Sequence, residues 1–252
     1  MHFGLTDEQT MIVDTVRGFV EKEIYPHENK VEELGYVPQE IADDIKSKVL
    51  DMGFYAPNFP EEVGGGGLNH LEFALLEREL GRGSMALTHF WGRPQNILMA
   101  CEGEQKERYL YPAIKGERMD ALAMTEPDAG SDVRSMKTFA KKDGSDWIIN
   151  GTKHFISGAA HADFVIVFIA TGEDDTPKGP KKRITCFLVD RGHPGFEIKP
   201  GYKSLSHRGY DNMILTFDDC RMPDSQVLGE VDGGFDVMGV GLPTLRREAS
   251  GG

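Results

Sequence analysis

Ala121-Leu122-Ala123-Met124-Thr125-Glu126-Pro127-Asp128-Ala129-Gly130-Ser131-Asp132 is the stretch on which the fold of this chain turns. It begins as an apolar run, turns at Pro127, and crosses small residues that let a backbone approach a ligand closely. It ends on a hydroxyl, Ser131, and a carboxylate, Asp132. Before it, apolar residues recur at helical spacing; after it, the composition is that of strands. A helix-to-sheet junction carrying a polar turn is a good place for a cofactor.

Upstream, Thr6 with Gln9 fits a capping box, and Ile12, Val16, Phe19 and Val20 follow at helical spacing. Pro26 predicts that this helix stops near Tyr25, because the residue before a proline is pushed out of the α region. Pro38 suits a first helical position, with Ile41, Ile45, Val49 and Met52 as an apolar stripe ended by Gly53. Asn69 with Glu72 marks another start, with Phe73, Leu76 and Leu80 as its buried face and Gly81 as its stop. A helix through Asn96, Ile97, Leu98 and Met99 follows, then one from Glu104 to Ile114 with Tyr109 and Leu110 inward. The run Gly64-Gly65-Gly66-Gly67 has no Lys-Ser/Thr after it and no strand before it, so it fails the phosphate-loop pattern and reads as a flexible interhelical loop.

Downstream, Asp143-Gly144 and Asn150-Gly151 are hairpin dipeptides, with Trp147-Ile148-Ile149 between them as a strand. Phe164 to Ala170, Ile184 to Val189, Phe196 to Lys199 and Met213 to Phe217 are further strands, and Gly172 to Lys182 an exposed loop. After Gly233-Gly234 the pattern is helical again, with Phe235, Met238 and Leu242 on one face. The fold class expected is α+β multidomain: an N-terminal all-α domain, an antiparallel β-barrel or sandwich, and the start of a C-terminal helix.

At 252 residues the chain has room for two domains. A net charge of −13 makes a nucleic-acid groove or an anionic membrane surface a poor partner. No apolar run reaches the ~20 residues needed to span a bilayer, and the N-terminus has neither signal-peptide nor transit-peptide character. Three scattered cysteines and eight histidines without ligand spacing argue against a disulfide frame and against a metal site. The expectation is a soluble protein of a reducing compartment, the cytoplasm, or the mitochondrial matrix for a eukaryotic mature form.

Four motifs resemble the acyl-CoA dehydrogenase family: Glu104 to Leu110 with Lys115-Gly116-Glu117; Thr125 to Asp132, the family's signature; Asn150 to Gly158; and Phe217 to Pro223 with Leu228-Gly229. The resemblance implies an N-terminal helical domain over residues 1–119, a flavin-binding middle β domain over 120–231, and the first helix of a C-terminal helical domain over 232–252. It implies FAD as cofactor and α,β-dehydrogenation of an acyl-CoA thioester as the activity. Leu122, Ala123, Met124, Thr125, Gly130, Ser131, Phe155, Ile156 and Ser157 are the implied cofactor-binding residues, and Ser131 also meets the acyl-CoA substrate. Thr125 and the backbone around Met124 would serve the pyrimidine side of the ring, and Ser157 the region of N5. Phe155 stands where many members carry tryptophan, which keeps the aromatic face and drops the indole N–H. Arg208 matches a position often arginine in the family, and is otherwise a solvated surface residue. His154 reads as an outward strand residue. The cations Lys178, Lys181, Lys182 and Arg183 read as a solvated loop sooner than as a site for CoA phosphates.

No residue of the chain is assigned as the catalytic base. In most members it is a glutamate of the C-terminal helical domain, and in a smaller branch a glutamate immediately before an arginine. The matching slot here is Leu245 ahead of Arg246, with Glu248 displaced by most of a helical turn. The chain by itself is therefore expected to be inactive. The family implies an electron-transfer flavoprotein or similar acceptor and a homo-oligomer, dimer or tetramer. Two alternatives stay open: an acyl-CoA oxidase or flavin monooxygenase of the same fold, and a non-catalytic binding or scaffold subunit.

Overall fold

The computed structural model describes residues 4–177 and 179–240, so Lys178, Leu242, Leu245, Arg246 and Glu248 lie outside the described residues. Its contacts divide the chain into two compact units. One runs to Pro94 and takes in Ile114–Glu117 and Lys203–Asp211; the other holds Gln95–Ala113, Arg118–Tyr202 and the chain from Asn212.

The first unit is helical. Helix α1 (Asp7–Phe19) begins with the predicted capping box: Gln9 N–H donates to Thr6 Oγ1 at 3.2 Å and Thr6 N–H to Gln9 Oε1 at 3.2 Å. The predicted stop near Tyr25 does not occur. A π-helical turn, Val20–Ile24, carries the chain directly into α2 (Tyr25–Leu34), whose first turn accommodates Pro26. Proline lacks an N–H but is tolerated where a helical turn starts, and the π turn supplies such a start. Pro38 is the N-cap of α3 (Gln39–Asp51), which buries Ile41, Ile45 and Val49 as predicted. Helix α4 (His70–Leu80) opens with the second predicted box, Asn69 Oδ1 accepting from Leu71 N and Glu72 N at 3.0 and 3.1 Å. It buries Leu75, Leu76, Glu79 and Leu80, while Phe73 is only partly buried. Glu79 is held by Arg17 through two bonds of 3.0 and 3.2 Å, and these bonds keep its carboxyl below the ordinary range. A short helix, α5 (Met85–Thr88), leads to Trp91, which is fully buried with its indole N–H on Phe54 O at 3.0 Å.

The glycine run is a built loop rather than a flexible one. Gly65, Gly66 and Gly67 donate to the carbonyls of Pro60, Ala56 and Phe59 at 3.0, 3.0 and 2.9 Å. A Cβ at Gly65 would lie 2.3 Å from Phe59 O, so close backbone approach is what selects glycine there.

The second unit is a sheet with short helical cover. A 3-10 turn, Asn96–Ala100, precedes a helical segment made of a π turn, Lys106–Leu110, and α6 (Tyr111–Ile114). The strands are β1 (Asp120–Ala123), β2 (Phe139–Asp143), β3 (Asp146–Ser157), β4 (Phe164–Asp174), β5 (Lys181–Asp190), β6 (Phe196–Tyr202), β7 (Asn212–Pro223) and β8 (Val227–Leu228). Their order is β6-β7-β3-β2-β4-β5-β8, with β1 paired on β4. The antiparallel barrel or sandwich expected from strand spacing is therefore corrected to a single mixed sheet that does not close. The β1–β4 and β2–β4 pairings are parallel. Strand β4 is buried from Phe164 to Ala170, the continuous apolar run that a strand covered on both faces requires. One face carries Val165, Val167 and Ile169 into the main core, and the other holds Phe164 with its ring centroid 4.9 Å from that of Tyr109.

Two local expectations change. Asp143-Gly144 makes the β2–β3 turn, but Asn150-Gly151 lies within β3. Gly151 has φ +144°, and a Cβ there would meet Thr138 at 2.5–2.7 Å. Close approach of Thr138 selects that glycine, not a turn. The exposed segment after Gly172 is shorter than expected, since β4 runs to Asp174 and β5 starts at Lys181. Helix α7 (Gly234–Val240) starts at the second residue of Gly233-Gly234 and buries Val237, while Phe235 is exposed. No helix among the described residues is long and apolar enough to cross a membrane.

Candidate functional site

The candidate site is built where the segment after β1 meets the end of β3. Lys153 of β3 is fully buried, and its Nζ donates to Met124 O at 3.0 Å and to Glu126 Oε1 at 2.7 Å. The Glu126 carboxylate also accepts from Lys137 N at 2.5 Å and from Thr138 N at 3.1 Å. Burial alone would push the Glu126 carboxyl up, but the Lys153 charge and these N–H donors outweigh it and hold it below the ordinary range. Burial pulls the Lys153 ammonium below its usual value, with Glu126 acting against that. A turn closes over the pair: Glu126 N donates to Ala129 O at 2.8 Å and Ala129 N to Glu126 O at 3.3 Å, with Pro127 and Asp128 at the tip. Asp128 pairs with Lys137 in solvent, and Asp132 caps the next short turn by accepting from Arg134 N at 3.2 Å.

His154 N donates to Thr125 O at 2.9 Å, which fastens the Thr125 segment alongside β3. Immediately after this bond β3 bulges. Lys153 pairs with Leu215 and Ile156 with Met213, so His154 and Phe155 together oppose the single residue Ile214. Phe155 consequently sits at φ +55°, a conformation costly for a bulky side chain, and its ring is 50% exposed. Beyond the bulge Ser157 pairs with Asn212, and the Ser157 hydroxyl donates to Asn212 Oδ1 at 3.0 Å.

Among the residues singled out from sequence, those of segments 122–125 and 155–157 are thus brought together. Thr125 and Ser157 are half-buried and Phe155 is exposed. Ala123 and Ile156 send their side chains into the core cluster, which leaves them only backbone atoms for a ligand. Gly130 and Ser131 are exposed beyond the turn, and a Cβ at Gly130 would meet nothing within 4 Å, so packing within the chain does not demand that glycine. Arg208 belongs to the helical unit, where it pairs with Glu32 at 3.5 Å. In the basic cluster Lys182 donates to Met136 O at 2.6 Å, and Arg183 pairs with Asp174 and Asp232 at 2.9 and 3.1 Å. His154 is half-buried, with Nδ1 3.2 Å from the Tyr202 hydroxyl.

Sequence reasoning passed over Lys153, Glu126, Asn212 and Tyr202. Lys and Glu are expected in solvent, and no periodicity reveals that two of them, 27 positions apart, neutralise each other in the core. Asn212 and Tyr202 act through neighbours on other strands, which only the sheet register supplies. Chemically, the arrangement offers a hydroxyl and backbone polar groups at Thr125, a hydroxyl at Ser157, and an exposed aromatic ring between them in sequence. That set suits a flat heteroaromatic ligand with polar edges.

Two family models match the chain: the acyl-CoA dehydrogenase N-terminal domain over residues 6–117 and the acyl-CoA dehydrogenase middle domain over residues 121–220. Mitochondrial isovaleryl-CoA dehydrogenase of Pongo abelii is 34% identical over 99% of this chain and 59% of its own length. An acryloyl-CoA reductase (NADH) of Anaerotignum propionicum is 34% identical over 94% of this chain and 60% of its own. Among solved structures, a glutaryl-CoA dehydrogenase of Mycobacterium smegmatis in complex with FADH2 superposes with a TM-score of 0.79 at 29% identity, covering 96% of this chain and 60% of that one. The chain thus spans about 60% of the length of the relatives it matches.

Proposed function

The chain belongs to the acyl-CoA dehydrogenase family, and from that premise we propose that it forms the N-terminal and middle parts of an FAD-dependent enzyme acting on the α,β bond of an acyl-CoA thioester. The observation that carries the proposal is the joining of the Thr125 and Ser157 segments by the His154 N–H to Thr125 O bond of 2.9 Å, over the buried Lys153–Glu126 pair. The residues fit a flavin: a half-buried hydroxyl at Thr125, a second hydroxyl at Ser157, and a half-exposed ring at Phe155 held out by a backbone kink.

When bound, flavin supplies the two-electron acceptor that such a reaction needs. The chain's own residues bind and orient. The Thr125 hydroxyl and the backbone at Met124 and Thr125 meet one polar edge of the ring, and the Phe155 face excludes water from it. Ser157, oriented by its 3.0 Å bond to Asn212, would present its hydroxyl to the other edge of the ring, in the region of N5. Ser131, exposed beyond the turn, would serve the pyrophosphate of FAD and the substrate. Loss of one preorganised donor of this kind costs about 2.7–4 kcal/mol of transition-state stabilisation in comparable sites, read in turnover and not in cofactor affinity. No described residue is assigned as the base at the α-carbon, and we place that role outside the described chain. An electron-transfer flavoprotein or similar acceptor, and a homo-oligomer, belong to the same proposal.

The test is titration of the full chain with FAD, read by quenching of flavin fluorescence and by the visible absorbance band. Saturable binding that weakens at least tenfold in Thr125→Val, Ser157→Ala supports the assignment. Equal affinity of the double variant and the parent would remove these two residues from the site. Measurable acyl-CoA turnover by this chain alone, with an artificial acceptor, would contradict the placement of the base.

A further inference from the structure

The end of β6 adds a residue to this site that no motif marks. Strand β7 lies between β6 and β3, and Asn212 pairs with Tyr202 on one side and with Ser157 on the other. Two bulges bring this row together. On β3, His154 and Phe155 oppose Ile214; on β6, Pro200 and Gly201 oppose Met213, since Lys199 pairs with Ile214 and Tyr202 with Asn212. The second bulge needs its glycine, because a Cβ at Gly201 would lie 2.0 Å from Asn212 O. The result is a cluster of three rings. Phe155 and Tyr202 stack with centroids 4.3 Å apart and planes 30° apart, and His154 lies 4.3 Å from Phe155. The Tyr202 hydroxyl stands 3.2 Å from His154 Nδ1. Tyr202 is 44% exposed, so burial alone does not account for this order.

We propose that Tyr202 is a positioning residue of the flavin wall: by stacking on Phe155 it holds that ring in the orientation that covers the cofactor. The inference rests on the flavin reading given above. Phe155 is mounted on a strained, positive-φ residue in a bulge, so its backbone alone does not restrict the ring to one rotamer. A stacked partner does. An offset stack of this kind is worth about 0.5–1.5 kcal/mol beyond buried area, equivalent to roughly twofold to tenfold in affinity. Tyr202→Phe keeps the stack and loses only the contact with His154.

The full chain and its Tyr202→Phe and Tyr202→Ala variants are titrated with FAD, and amide hydrogen exchange at Ile156 and Ser157 is followed without ligand. Expected are an FAD affinity lowered up to about tenfold in Tyr202→Ala with a displaced visible band, faster exchange at both amides, and values within twofold of the parent in Tyr202→Phe. Unchanged affinity and band in Tyr202→Ala would overturn the proposal while leaving the flavin site standing. Weakened binding with unchanged exchange would overturn the positioning role, because Tyr202 would then act on the ligand itself. An equal loss in Tyr202→Phe would overturn stacking as the cause. Failure of the parent to bind FAD would instead overturn the flavin reading, and the Tyr202 proposal with it.

Discussion

Replacing Lys153 by methionine keeps an unbranched side chain, one atom shorter, and removes its charge. Glu126 then remains buried with the Lys137 and Thr138 N–H groups as its donors, and Met124 O loses the ammonium it accepts from. At 2.7 Å the gross attraction of the pair is about 6 kcal/mol with an effective dielectric constant near 20, and the desolvation of two ions offsets most of it. The pair is therefore worth little net, but breaking it is expensive. Lys153→Met is expected to cost about 3–5 kcal/mol of sheet stability, the range for stranding one member of a buried pair. Glu126→Gln is expected to cost a similar amount, because the new amide N–H2 must face one of three donors. The double variant should cost less than the sum of the two, with a coupling of about 1–3 kcal/mol. The assay is urea denaturation followed by circular dichroism in the strand region, with the sheet and helical transitions fitted separately. A cost below about 1 kcal/mol for Lys153→Met, or additive single costs, would refute the claim that the pair holds the Thr125 segment in place. The pH dependence follows in sign. The Glu126 pKa is depressed on folding, so its contribution is present above the unfolded carboxylate value, about 4.3, and is lost as pH falls through the folded value. Glu126→Gln should flatten that acid limb.

Asp120, on β1, accepts from Gln95 N at 3.2 Å, and burial pushes its carboxyl up to about 7. A carboxyl with a raised folded pKa favours the folded state below the unfolded pKa, about 3.9, and this advantage is lost progressively as pH rises from there through about 7, so Asp120→Asn should melt higher than the parent at pH 8 and by a clearly smaller margin at pH 5. Equal melting differences at both pH values would show that Asp120 titrates normally. Gly151→Ala should destabilise by about 1–3 kcal/mol, because the new methyl would enter the space of Thr138 at a φ that L-residues avoid; a change under 0.5 kcal/mol in denaturation would show the bulge to be pliant. Thr6→Ala removes one half of a capping box and should cost about 1 kcal/mol in the helical unit's transition. Asn212→Ala frees the Ser157 hydroxyl and should weaken FAD binding severalfold without altering the melting of the helical unit, and unchanged titration curves would remove Asn212 from the site.

The helical half was legible wherever side chains act on their own backbone. The capping boxes at Thr6 and Asn69 need only residues three apart, and both form as predicted. Pro26 misled because its local preference was answered by a π turn, Val20–Ile24, which places the proline in the first turn of the next helix. Asn150-Gly151 misled for a related cause: the dipeptide is a turn former in isolation, but pairing with β7 on one side and Thr138 on the other keeps it within a strand. The α+β order of helices followed by a sheet holds, but the barrel wording was too narrow: strand spacing carries no information on which strands become neighbours, and β6 and β8, at the two ends of the sheet order, do not pair with each other.

The stretch from Ala121 to Asp132 determined the family and the place of the junction, since eight ordered residues from Thr125 to Asp132 carry that identity without reference to any contact. Tertiary structure alone decided what holds the stretch in place. A lysine and a glutamate 27 positions apart neutralise each other in the core, where low polarity makes an unpaired charge intolerable. It also decided which side chains can serve a ligand: the bulge in β3 turns Phe155 out and Ile156 in, and a shift of one residue in register would have exchanged them.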